Sequence, residues 1–182
     1  MSSGPSNDPL VQQLQLLLTG YGYNFYNSTN IARSDDQLVR QRASYFLSES
    51  NALLAAVRND YQFRYIPPLT RANPDPPAEA MAKVRELEAL QQNISRLESS
   101  IRGMVVPNQD RIWWRFHQEE PLLRQLLNYD LSLVRGCEQV HQVASQMTAD
   151  GWHYQGGSQI TELLRQVTQT AKAREQFLLI QV

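Results

Sequence analysis

The chain lacks most of what marks a specialised protein. It has one cysteine, Cys137, in 182 residues, so no intramolecular disulfide can form and a reducing compartment suits it. It lacks charge of one sign: 17 basic and 18 acidic residues give a net charge of −1, without the basic excess that polyanion binding usually requires. It lacks long apolar runs. Leu16-Leu17-Leu18 near the start is far too short to span a bilayer, and residues 1–20 show no secretory leader pattern. Cytoplasm is the expected location. Period-2 alternation bounded by turn residues is missing, so no strand is expected. No internal repeat is visible, which disfavours a solenoid. Phosphate-loop and nucleophile-elbow motifs are absent too.

What is present favours helix. Glutamine occurs 20 times, and arginine outnumbers lysine 15 to 2; both abundant types are good helix formers. Residues 1–7 read as a flexible tail, and residues 8–182 as one domain, large enough to bury a core. Asp8-Pro9 gives an N-cap and a first-turn proline to a short helix ending at Gly20. Residues 20–33 read as a loop carrying Tyr21, Tyr23, Phe25 and Tyr26. Ser34 with Gln37 forms a capping box. It opens a long helix with Val39, Ala43, Phe46, Ser50, Leu53 and Val57 on one face, ending before Pro67-Pro68. After a proline-rich linker, a third helix runs from Pro77 to Gly103 with Met81, Val84, Leu87, Leu90, Ile94, Leu97 and Ile101 as its stripe.

A short helix holds Ile112, Trp113, Trp114 and Phe116. The next long helix runs from Pro121, its stripe Leu122, Leu126, Tyr129, Leu133, Cys137, Val140, Ala144 and Met147. That register leaves Asp130 at the edge; a second register through Leu123, Leu126, Asp130, Leu133 and Cys137 would bury it. Edge placement costs less, because a buried carboxylate needs a partner. A loop bounded by Asp150-Gly151 and Gly156-Gly157 carries Trp152, His153 and Tyr154. Ser158 starts the last helix, with Ile160, Leu164, Val167, Ala171 and Leu178 on its face. The expected fold is all-α: an antiparallel bundle of four long helices with one or two short accessory helices.

Chemistry is thin. Glu138-x-x-His141 puts two possible metal ligands on one helix face, but di-iron bundles need two such motifs. The pair is expected on a solvated flank, with no metal and no cofactor. Trp113-Trp114-Arg115-Phe116-His117 could wall a small-ligand pocket, or Trp113 and Phe116 could close the bundle end while Trp114 stays at the surface. Cys137 lies on an apolar stripe and has no reason to ionise. Arg33, Arg40, Arg42, Arg58 and Arg64 are spread around their helix, so nucleic acid is not an expected partner. The expected function is protein–protein contact, as an assembly or adaptor module without catalytic activity. The alternative is a ligand- or metal-binding bundle, even an enzyme, using the Trp113–His117 and Glu138–His141 regions. Candidate contact residues are Tyr21, Tyr23, Phe25, Tyr26, Trp114, Phe177, Leu179 and Ile180. The last four residues of the final helix cannot all be buried on one face, so the C-terminus is expected to dock, a second copy of the chain being one candidate partner.

Overall fold

The computed structural model describes residues 6–19, 29–68, 70–71, 75–104, 114–116 and 118–180, without the side chains of 29–31 and 180. It contains α1 (Pro9–Leu18), α2 (Thr29–Tyr65), α3 (Ala78–Arg102), α4 (Glu120–Gln146), α5 (Ala149–Gln155) and α6 (Ser158–Ile180). Residues 114–116 form a further helical turn. Among the described residues there is no strand.

The four long helices form the bundle. α2 lies between α3 and α4, α4 also packs on α6, and α6 meets α3 more loosely. The direction of each pairing follows from which residues meet. Asn51 with Ser95 and Arg40 with the carbonyl of Arg102 make α2 and α3 antiparallel. Asp130 with Arg174 and Tyr129 with Phe177, near the start of α4 and the end of α6, do the same for that pair. The fold is thus two antiparallel hairpins, and it sets α2 beside α4 in parallel, Phe46 against His141. The end of α3 and the start of α4 therefore lie at the same end of the bundle, on diagonally placed helices. α1 packs on the outside of α4.

The stripes explain the core. Val84, Leu87, Leu90, Ile94, Leu97 and Ile101 of α3 are buried, as are Ile160, Leu164, Val167, Ala171 and Leu178 of α6. Both rows advance by steps of three or four residues, or their sum, which keeps them on a single packed face. Gly136 lets α4 and α6 approach closely, since a Cβ there would stand 2.7 Å from Val167 Cγ2.

Three expectations change. α2 begins at Thr29, not Ser34, because Ala32 continues the stripe one heptad before Val39 and is buried; Ser34 lies inside the helix and does not cap it. Trp152, His153 and Tyr154 sit on α5 rather than in a loop. Thr148 caps that helix through the Gly151 amide at 3.0 Å, Gly156 ends it at φ 67°, and Trp152 is buried in the core. Ser6, in the expected tail, is buried.

Candidate functional site

Polar groups inside the bundle gather at one end. Asp36 of α2, Asp130 of α4 and Arg174 of α6 are each at most 1% exposed. Arg174 Nε donates to Asp130 Oδ1 at 2.6 Å, and its Nη2 to Asp36 Oδ1 at 2.7 Å. Arg40, one turn along α2, donates from Nε to the other Asp36 oxygen at 2.9 Å. Its Nη1 reaches the carbonyls of Arg102 at 3.0 Å and Met104 at 3.3 Å. Those carbonyls lie at the C-terminus of α3, where a cation also complements the helix dipole. One connected network therefore touches all four long helices. Two carboxylates and two guanidiniums balance in charge, which is what burial demands.

Asp130 is therefore in the core and not at the edge. The helix follows the register through Leu126, Asp130, Leu133 and Cys137, with Leu122 and Tyr129 only half-buried. The cost that disfavoured this register is offset by Arg174, whose position on α6 is one step beyond Ala171 on the same stripe. The sequence does carry a signal: Asp36, Asp130 and Arg174 all occupy stripe positions where an apolar residue is due, and their charges are complementary.

A second cluster fixes α1 to the bundle. Asp8 accepts the Leu10 and Val11 amides at 3.0 and 3.2 Å, capping α1, and also takes Arg42 Nε at 2.6 Å. The Arg42 guanidinium lies over the rings of Tyr45 and Phe46, 4.7 and 4.8 Å from their centroids. Ser6 Oγ donates to Glu138 Oε1 at 2.6 Å. Glu138 is buried, contrary to the solvated flank expected for it, while His141 is half-buried against Phe46. The Glu138–His141 pair thus points to packing and anchoring of the N-terminal segment. Among the described residues, no group of three or more His, Cys, Asp or Glu side chains could hold a metal ion.

The opposite end of the bundle is aromatic. Tyr61 stacks on Tyr65 at 4.6 Å between centroids, and Tyr65 on His153 at 4.4 Å. The Tyr61 hydroxyl and His153 Nδ1 share a hydrogen bond of 3.0 Å. Tyr65 donates to Asp150 Oδ1 at 2.8 Å, and that bond, which favours the protonated phenol, pushes its pKa up to about 12. The indole of Trp152 donates to the carbonyl of Lys83 at 3.1 Å, tying α5 to α3. Cys137 is wholly buried and its thiol pKa is raised by desolvation.

The remaining candidate residues divide. Trp114 is 64% exposed beside a fully buried Phe116. Phe177 packs half-buried against Phe116 and Tyr129, at 5.6 and 5.5 Å. Leu178 is buried and Leu179 is 47% exposed, so part of the C-terminal apolar run is covered by its own bundle. Ile180 is helical, its side chain outside the described set; Tyr21, Tyr23, Phe25, Tyr26, Trp113 and His117 lie outside the described residues. No helix among the described residues is long and apolar enough to cross a membrane. No family model, no curated protein and no solved structure matches this chain.

Proposed function

We propose that this bundle is a protein-interaction module, an assembly or adaptor element without catalytic activity, working in the cytoplasm. The observation that carries the reading is the pairing of exposed and buried apolar residues at one end. Trp114 and Leu179 stand in water beside Phe116 and Leu178, which are buried. The Phe116–Phe177 contact brings their two segments together. Large aromatic and aliphatic side chains on a rigid base make effective contact anchors. The buried polar groups support the same reading, because Arg174, Asp130, Asp36, Glu138 and Asp8 bond to one another or to Ser6, Arg40 and Arg42. Four of the arginines weighed for nucleic acid are paired with carboxylates: Arg40 with Asp36, Arg42 with Asp8, Arg58 with Glu88, and Arg64 with Asp60. That supports a protein as the partner. A ligand- or metal-binding role would need Glu138 and His141 open on one face, and Glu138 is buried under Ser6.

The test is affinity capture from the source cell, followed by rebinding of the purified partner to wild type and to Trp114→Ser/Leu179→Ser. The double variant is expected to weaken binding at least about tenfold, roughly 1.4 kcal/mol. Equal binding by both proteins would overturn the reading, as would one tightly held metal or small molecule per chain.

A further inference from the structure

α4 carries a second row beside its core stripe. Leu127, Leu131, Val134 and Glu138 follow one another at helical spacing; Leu131 is half-buried and the other three are buried. The next positions on that row, Gln142 and Ser145, are polar and exposed. Ser6 meets Glu138 where the row ends, and α1 packs on α4, so this row is the seat of α1. At 1.5 Å per residue the row is about 17 Å long and α1 about 15 Å, a matched pair. α1 is fastened by polar bonds at one end only, Ser6 to Glu138 and Asp8 to Arg42 of α2. The side-chain bonds of Gln12 and Thr19 stay within the segment. Among the described residues, no hydrogen bond or ion pair joins residues 10–19 to the bundle. Leu10, Val11 and Leu14 hold α1 by burial alone. The ionic network that joins the four long helices includes no residue of α1.

We infer that α1 is a strap that opens as a unit, and that the seat it leaves is filled by α1 of a second copy of this chain. A helix this short does not hold by itself in water, so α1 folds and docks in one event. An open seat sets Leu127, Val134 and the Glu138 carboxylate in water together, an apolar face that gains from being covered. Its chemistry decides what covers it. Glu138 needs a hydroxyl donor and Arg42 a carboxylate, and the row needs apolar side chains two, three and six places beyond that carboxylate. Ser6-Asn7-Asp8-Pro9-Leu10-Val11-Gln12-Gln13-Leu14 supplies all of these, and a second copy supplies them identically. Exchange keeps every contact of α1 and changes only which seat residues 19–28 lead to. A connection of that length reaches at most about 33–36 Å, roughly three helix diameters, enough to cross to a neighbouring copy. Exchange of an identical element is a low-cost route to a dimer. The seat uses neither Trp114 nor Leu179, and the inference does not rest on them.

Hydrogen exchange on the full chain tests the opening. The α1 amides are expected to exchange at least about tenfold faster than those along the buried stripe of α3. Asp8→Ala, which removes the cap and the Arg42 partner, should speed them at least about fivefold more and leave α3 unchanged. Equal protection of α1 and α3 would show that α1 opens only with the whole bundle, and would overturn the inference. Cross-linking tests the exchange. Full chains carrying Ser6→Cys and full chains carrying Glu138→Cys are mixed at about 100 µM and treated with a short bis-maleimide. A dimer linked from position 6 of one chain to position 138 of the other is expected, and Cys137 is buried in the core. Leu131→Cys takes the place of Glu138→Cys if circular dichroism shows that the latter loses helix. Gln125→Cys, on the exposed outer face of α4, should give at least about tenfold less dimer. No linked dimer, or equal yields from the seat and from Gln125→Cys, would overturn the inference. Adding Trp114→Ser/Leu179→Ser to both chains should leave the yield unchanged; a loss would place the contact at that end and overturn the exchange.

Discussion

The two ends of the bundle are closed by different chemistry. At the end where α2 begins, Asp36, Arg40, Asp130 and Arg174 form a buried ionic network reaching every long helix. At the other, Tyr61, Tyr65, His153 and Trp152 stack or pack with short hydrogen bonds at their tips. Ionic contacts are directional and leave a large penalty when one member is lost. Aromatic contacts share their energy over area, so one missing ring is tolerated better. The ionic end also specifies which helices are neighbours. An apolar layer would accept many arrangements, whereas Arg174 bonds Asp36 and Asp130 together only when α2 and α4 flank it. We infer a register role for this layer, by analogy with buried polar residues that fix helix pairing at some cost in stability.

The largest effect is expected from Arg174→Met. It takes the Arg174 guanidinium from both buried carboxylates, leaving Asp36 only its bond from Arg40, and loss of about 3–5 kcal/mol follows, read as a fall in denaturant midpoint. Combining it with Asp36→Asn and Asp130→Asn should recover most of that loss. A triple variant no more stable than the single one would show that the layer does not act through its charges.

At the aromatic end His153→Ala should cost less, about 1–2 kcal/mol, from one hydrogen bond and the ring contacts with Tyr61, Tyr65 and Tyr154. If it proves as damaging as Arg174→Met, the contrast between the ends fails. A comparable loss of about 1–3 kcal/mol is expected of Gly136→Ala, midway along the bundle, where the new methyl group pushes on Val167 and overpacks the α4–α6 seam.

The smallest effect is confined to alkaline pH. Tyr65 has its folded-state pKa raised to about 12, above the ordinary value near 10. Its contribution to stability is therefore complete below about pH 10 and is lost as pH rises through 12. Ultraviolet titration should show a phenolate phase near pH 12 that Tyr65→Phe removes. A phase that persists in the variant would place the late titration elsewhere.

How far these contacts could be read beforehand differs from residue to residue. Periodicity identified the faces of α3 and α6 because each carries a single apolar stripe with no competing register. It failed for Asp130, where two registers were available and the cheaper one omitted a partner 44 residues away. It failed for Glu138 for the same reason, since Ser6 lies 132 residues distant. The start of α2 was misplaced because a capping box is a local signal, and burial of Ala32 outweighed it. Trp152 looked like a loop residue between glycines, yet α5 needs only seven residues and packing of its indole to hold it in place.

Spacing along the chain was enough to place the four long helices, most of their buried faces and the prolines and glycine near their ends. These depend on spacing and on the φ/ψ limits of single residues, which are local. Tertiary structure decided that α2 and α4 run side by side in parallel, and that an arginine and two aspartates belong in the core. It also decided that Trp114 and Leu179 are left exposed while Phe116 and Leu178 are covered. Each of those outcomes depends on a partner brought from far along the chain, and burial of charge is tolerable only once that partner has arrived.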